Sequence, residues 1–178
     1  MRIRCVVVGM LKTNCYLLYK DNEMLVVDPG GEAEKILEEI KIIGITPKKI
    51  VNTHSHPDHV LANNAVAKAT GAEILKDLED GDYIKIGDFS LKVISAPGHA
   101  PDSVCFYGGD FLLSGDVLFE DGHGRTTFPG GSDEDMVRTL KRLKEEISED
   151  TVVYPGHGNP FIMKNYPFNY GCGKLLKI

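Results

Sequence analysis

Apolar residues in this chain come in short runs, and the residues that interrupt them separate strands from helices. Residues 2–8, 14–19 and 24–27 are rich in Val, Leu, Ile and Tyr, and Gly9 and Asp21-Asn22 divide them, which is the pattern of an antiparallel meander ending at Asp28-Pro29-Gly30-Gly31. Ala33, Ile36, Leu37, Ile40 and Ile43 then recur at helical spacing with Glu and Lys between them, and Gly44 stops the helix. Such a helix has one apolar face to bury, so it covers one side of a sheet. An apolar strand over residues 48–52 follows. The stretch from Val60 reads as a second helix that ends at Thr70-Gly71, with glycine in the C′ position.

From residue 72 the period returns to that of strands, at 72–75, 82–86, 89–95, 103–107 and 110–114, punctuated by Gly81, Gly87, Pro97-Gly98 and Gly108-Gly109. These predict a second β layer. Residues 132–147 place Met136, Val137, Leu140, Leu143 and Ile147 on one helical face, and Ser132 three residues before Asp135 resembles a capping box. One more strand, 151–154, ends at Pro155-Gly156-His157. Sheets flanked by helices in this order predict an α/β architecture, and the length suits one domain over residues 1–178.

Several strands share an ending: an apolar run, then Gly or Thr, then His or Asp, at His54, His99, Asp116 and His157. Four strand ends therefore converge on one edge. The densest ending is Thr53-His54-Ser55-His56-Pro57-Asp58-His59, in a chain with only six histidines. His54 and His56 leave an extended backbone on the same side and can chelate one ion. Asp58 and His59 follow the turn-forming Pro57 and point elsewhere, so one tetrahedral ion cannot take all four. Two neighbouring metals are the economical reading, against the solvated loop that a bare H-x-H would suggest. The sixth histidine, His123 in Asp121-Gly122-His123-Gly124, reads as a rim residue outside the metal shell.

Composition narrows the partners. A hydrophobic share of 42% with 26% charged residues is that of a globular protein, and a net charge of −6 without a basic stripe argues against nucleic acid. No apolar run approaches the roughly 20 residues of a membrane span, and the run after Met1-Arg2 is too short for a signal peptide. A cytoplasmic protein acting on a small molecule is expected. Cys5, Cys15, Cys105 and Cys172 are scattered without a C-x-x-C pair, so no disulfide framework is expected, and Cys172 is assigned no role.

The cluster from Thr53 to His59, with Gly98-His99, Gly115-Asp116 and Gly156-His157 in this order, resembles the metallo-β-lactamase superfamily and, within it, the glyoxalase II-like branch. Asn14-Cys15-Tyr16, Asp28-Pro29-Gly30, Gly115-Asp116-Val117-Leu118-Phe119 and the run from Gly124 to Gly131 look like that branch too, so the resemblance covers essentially the whole chain. It implies a four-layer αββα sandwich. It also implies that His54, His56 and His99 hold one metal and Asp58, His59 and His157 a second, with Asp116 bridging both. Two zinc ions per chain are expected, with iron or manganese as alternatives. Asp28 is a candidate second partner for a ligand histidine.

The activity so implied is hydrolysis of a small acyl thioester, of the hydroxyacylglutathione type, by a metal-bridging hydroxide that Asp58 orients. A second reaction class stays open, because Gly124-Arg125-Thr126-Thr127-Phe128 also resembles persulfide dioxygenases, which hold one iron with two histidines and an aspartate. Arg125 is a candidate contact for an anionic part of the substrate, and a pair with Glu120 or Asp121 is the structural alternative. Only residues 158–178 follow His157, too few for the helical domain with which glyoxalase II grips glutathione. A shallow site with a broad thioester range is therefore expected; Lys164, Lys174 and Lys177 could offer it charge and Tyr166 and Tyr170 stacking surfaces, although a short tail is more often a strut packed on the sandwich. Oligomeric state is not legible.

Overall fold

A computed structural model describes residues 1–168 as two sheets with helices on their outer faces. The first sheet runs in the order β1 (Arg2–Val8), β2 (Thr13–Lys20), β3 (Glu23–Val27), β4 (Lys49–Val51), β5 (Glu73–Ile74). Its first three strands form the antiparallel meander, and β4 and β5 join in parallel. The second sheet holds β6 (Tyr83–Ile86), β7 (Phe89–Ser95), β8 (Val104–Tyr107), β9 (Phe111–Gly115), β10 (Val152–Pro155) and β11 (Phe161–Ile162), with β9 and β10 parallel. Four α-helices connect them: α1 (Ala33–Ile43), α2 (Pro57–Val60), α3 (Asn63–Thr70) and α4 (Asp133–Glu146).

Alternation along the strands separates three apolar layers. Tyr16, Leu18, Leu25 and Val27 of the first sheet meet Leu91, Val93, Phe106 and Leu113 of the second, which is the core between the sheets. Their neighbours Cys15, Leu17 and Val26 point the other way and pack under Ile36 and Ile40 of α1 and Val66 of α3. Ile94, Cys105 and Leu112 likewise leave the far face of the second sheet to meet Met136, Leu140 and Leu143 of α4. Both faces of both sheets are thus covered, and the layers read αββα. Removing this apolar surface from water, at about 25 cal/mol per Å², is what drives the assembly. Ser132 caps α4 as its spacing predicts, its Oγ accepting from the Asp135 N–H at 3.1 Å.

Three elements differ from the sequence reading. Strand 72–75 shrinks to Glu73–Ile74 and lies at the edge of the first sheet, because its backbone pairs with β4; the second sheet begins only at β6. The helix expected from Val60 is two helices, and the first turn already contains Asp58 and His59. The break has a long-range cause, since the Ala62 N–H leaves the helical ladder to donate to Pro29 O at 2.9 Å. In the tail, Tyr166 is buried on the α4 side, stacked on Phe161 at 6.1 Å, and Lys164 lies 3.4 Å from Asp150. They brace the sandwich and do not line the site. Tyr170, Cys172, Lys174 and Lys177 lie outside the described residues. Of the other cysteines, Cys15 and Cys105 are buried, Cys5 is exposed, and all three are free.

The α4 layer is locked to the strand end before His99 by Gly98. Its φ is +146°, and a Cβ there would sit 2.6 Å from the Met136 Cα. Gly98→Ala is therefore expected to cost about 1–3 kcal/mol through overpacking and backbone strain. Urea unfolding of the two proteins, with an unchanged midpoint as the contrary result, checks this.

Candidate metal centre

The same edge of the sandwich receives the ends of β4, β7, β9 and β10. The first leads through a bend at Thr53-His54 to His56, whose backbone is extended, and Pro57 then starts α2, which turns Asp58 and His59 toward the same centre. The β7 end leads to His99, β9 to Asp116, and β10 to His157. Two sets of donor atoms lie within ligand distance of one another without any ion present: His54, His56 and His99 in one, Asp58, His59 and His157 in the other. A third set, His54, His59 and Asp116, links them. The Asp116 carboxylate lies between all of them, with Oδ1 at 3.3 Å from His59 Nε2 and Oδ2 at 3.6 Å from His99 Nε2 and 3.5 Å from His157 Nε2. Glycine is needed for this approach, because a Cβ on Gly156 would collide with Asp116 Oδ1 and lie 2.8 Å from His59 Cε1.

Most of the imidazoles are held from behind. His59 Nδ1 donates to Asp28 Oδ2 at 2.9 Å, His99 Nδ1 to the Arg125 carbonyl at 2.7 Å, and His157 Nδ1 to the Leu11 carbonyl at 3.0 Å. Thr53 Oγ1 donates to Asp28 Oδ2 at 2.7 Å, so at its 3.1 Å contact with His54 Nδ1 it accepts. Nδ1 of these four rings is thereby engaged on the outside, and Nε2 is the nitrogen aimed inward. That arrangement is the usual one behind metal-ligating histidines. His56 offers its other nitrogen: Nδ1 faces His99 Nε2 at 2.9 Å.

Inside the cluster the donor atoms are poorly satisfied: His54 Nε2, His59 Nε2 and Asp116 Oδ1 are buried without a well-formed hydrogen bond, the last two facing each other at 3.3 Å. Without an ion, protons have to take the metal's place. Burial works against a charged His59, yet Asp28 and Asp116 outweigh it and raise its pKa to about 10. Burial is likewise overcome at His157, where Asp116 and Asp58 raise the value to about 10. Asp58 is brought down to about 2: burial opposes its charge, but His157, His59 and the Thr13 hydroxyl at 3.1 Å prevail. Asp116 is held well below the carboxylate range in the same way, by His157 and His59 against burial. His54, by contrast, is pushed down to about 4 by burial and by the charge on His59. Orphaned lone pairs, ionised carboxylates and pinned outer nitrogens are what a pair of divalent cations requires, so the donor set fits two ions.

Beside the cluster lies a cavity of about 850 Å³, whose walls include Leu11, Phe119, Glu120, Arg125, Phe128 and Asn159, with His99, Asp116 and His157 at its floor. Arg125 makes no ion pair with Glu120 or Asp121; its guanidinium lies over the Phe128 ring, 5.1 Å from the centroid. Phe128 in turn stands edge-on to His56 and His99 at 5.7 and 5.9 Å. His123 is buried, a correction to its reading as a rim residue: Nδ1 donates to the Gly124 carbonyl at 2.8 Å, and the ring joins none of the donor sets. The outer partners Thr13, Thr53, Leu11 O and Arg125 O escaped sequence reasoning. Two of them are backbone carbonyls, which carry no residue signature, and Thr13 is 45 positions from Asp58.

Because His59 and His157 are protonated in the ion-free cluster up to about pH 10, metal uptake at neutral pH must displace those protons. Affinity is therefore expected to rise with pH across that window and fall below it. Titration calorimetry in buffers of different ionisation enthalpy should show about two protons released per chain. Release of none would contradict the electrostatics described.

The sequence matches the model of the metallo-beta-lactamase superfamily over residues 8–85 and 72–157. Among curated proteins it is 35% identical to the probable metallo-hydrolase YqgX of Bacillus subtilis, over 89% of this chain and 90% of that protein. It is 27% identical to the hydroxyacylglutathione hydrolase GloC of Haemophilus influenzae, over 89% and 92%. Among solved structures, the BLEG-1 B3 metallo-beta-lactamase superposes with a TM-score of 0.88 at 29% identity, covering 96% of this chain and 100% of that one. ETHE1 from Myxococcus xanthus follows at 0.86 and 25%, covering 92% and 80%, and TTHA1623 in a di-iron-bound form at 0.85 and 29%, covering 93% and 99%. These matches run across the very strand ends that gather the histidines and aspartates, and the chain belongs to the metallo-beta-lactamase superfamily.

Proposed function

We propose that this protein is a dinuclear metal-dependent hydrolase of small acyl thioesters. The observation that carries the reading is the pair of donor sets linked by Asp116, which lies 3.6 Å from His99 and 3.5 Å from His157 on the floor of an open cavity. His54, His56 and His99 would hold one ion, Asp58, His59 and His157 the other, and Asp116 would touch both. Such ions, zinc in this reading and iron in the alternative, supply Lewis-acid polarisation of a carbonyl and an acidified water. Likeness to GloC supports the thioester class, and the di-iron form of TTHA1623 supports a two-ion site in this fold.

The chain's own groups then have definite tasks. Asp58, ionised and tethered by Thr13, is too weak a base to store a proton but accepts a hydrogen bond that orients the attacking water. Phe119, Phe128 and Leu11 exclude solvent from the acyl group. Arg125, stacked on Phe128 and without a carboxylate partner among the described residues, offers its fork to a substrate carboxylate. A thiolate, with a pKa of about 8.5, departs without a strong general acid, which agrees with a cluster whose five histidines would all be held as ligands. A second reading also has support: the first-site histidines with Asp116, among them His54 and His99, offer a two-histidine, one-carboxylate arrangement, and ETHE1 is a close structural neighbour, both of which suit a mononuclear iron persulfide dioxygenase.

The purified protein is expected to hold two ions per chain by elemental analysis, and His54→Ala or Asp116→Ala to lower thioester cleavage by about 100-fold or more, with far-UV circular dichroism retained. Cleavage should persist without oxygen; one iron per chain and oxygen uptake with a glutathione persulfide would establish the dioxygenase instead. Arg125→Ala should raise KM for an anionic thioester about tenfold, with kcat and melting temperature little changed. Lost stability at unchanged KM would make Arg125 a structural residue.

A further inference from the structure

Asn14, the second residue of β2, is 3% exposed, yet its side chain reaches the loop that carries His157, more than 140 residues away. Nδ2 donates to the Pro155 carbonyl and to the Gly158 carbonyl, both at 3.0 Å. The Asn14 backbone N–H donates to Gly156 O at 2.7 Å. Its Oδ1 accepts from Cys5 Sγ at 3.5 Å, which settles the orientation of the amide: both hydrogens of Nδ2 go to the loop. One residue thus grips the loop before, within and after the turn that aims His157. The Pro155 carbonyl has a further donor in Tyr16 Oη at 2.6 Å, whereas the Gly158 carbonyl has no other partner among the described residues.

We infer that Asn14 is the positioning residue of the second metal site, holding His157 in register for the ion it would share with Asp58 and His59. The inference rests on the two-ion reading above. His157 has one outer support of its own, the carbonyl of Leu11, and Leu11 is 66% exposed at the tip of the β1–β2 hairpin. Asn14 is the buried anchor, and a buried, fully satisfied amide resists the thermal motion that an exposed hairpin tip undergoes. None of His54, His56 and His99 touches this loop through a hydrogen bond. Their supports come from Thr53 and from the Arg125 carbonyl. Loss of Asn14 should therefore reach one ion and spare the other. Uniform loosening of the fold would not produce that asymmetry.

The test is a zinc titration of metal-free full-length protein, with cobalt(II) absorption as a second readout of ligand number. Wild type should take up two ions. Asn14→Leu, near in size but without donors, and Asn14→Ser, the smaller polar variant in case leucine impairs folding, should bind the first ion as wild type does. Their second ion should bind about 10- to 100-fold more weakly. Tyr16→Phe, which leaves both Nδ2 bonds in place, should keep both affinities within a few-fold of wild type. Wild-type binding of both ions by the Asn14 variants, or a parallel fall in both affinities together with the melting temperature, would overturn the inference and leave the two-ion reading standing. A wild-type protein that binds a single ion would overturn both.

Discussion

A single buried carboxylate sets the geometry of the whole centre. Asp28 ends the third strand with φ at +52°, a left-handed conformation that costs energy for a residue with a side chain, and it is almost wholly inaccessible. Its oxygens accept from the Thr53 N–H at 2.7 Å, the Thr53 hydroxyl at 2.7 Å and His59 Nδ1 at 2.9 Å. Through Thr53 it also determines which nitrogen His54 presents. One negative charge therefore orients two ligand rings and ties the end of β3 to the loop after β4. A buried charge is tolerated only when its lone pairs are met, and here the donors that meet them are the ligand loop itself. Strain at Asp28 and order at the centre are two sides of one arrangement.

The cluster is electrostatically unsettled in the absence of cations. Five imidazoles and two carboxylates crowd together, His59 and His157 driven to accept protons by the acids beside them and His54 and His99 driven to refuse them by burial. The surrounding structure does not relax this conflict, because the outer nitrogens are fixed by backbone carbonyls, Thr53 and Asp28. Preorganisation of that kind keeps ligands in place at the expense of local stability, and the three-layer apolar core supplies the offset. The cost is concentrated at one edge. The core lies elsewhere, between the sheets and beneath α1, α3 and α4.

Next to the centre, the cavity combines apolar walls with one cation and two exposed acids, Glu120 and Asp121. The stacking of Arg125 on Phe128 holds the guanidinium in a defined plane while leaving its hydrogen-bonding edge available. Arg125 also serves through its backbone, since its carbonyl receives the His99 N–H. The Arg125 guanidinium in the cavity wall and the carbonyl that orients His99 thus come from one loop between Asp116 and α4. A change in that loop would be felt at both.

Much of the architecture was legible in the residues themselves. Period-2 runs marked the strands, a 3.6 period marked α1 and α4, and the recurring ending of strand, glycine or threonine, then His or Asp pointed to one edge, because strand ends in a covered sheet are where exposed yet rigid side chains sit. The local chelate of His54 and His56 followed from alternation alone. What remained hidden depended on neighbours far apart in the chain. Strand 72–75 could be assigned to a sheet only by its pairing with β4, and the helix break at Ala62 arises from a carbonyl, Pro29 O, that no local rule reveals. The protonation pattern of the cluster, the carbonyls behind His99 and His157, and the reach of Asn14 to Pro155 and Gly158 likewise exist only once the sheets have stacked. Sequence patterning specifies which side chains face inward and which stand at strand ends, because that is decided within a few residues. Which backbone carbonyl lies behind which ring is decided by the stacking of the two sheets, and only the tertiary structure contains it.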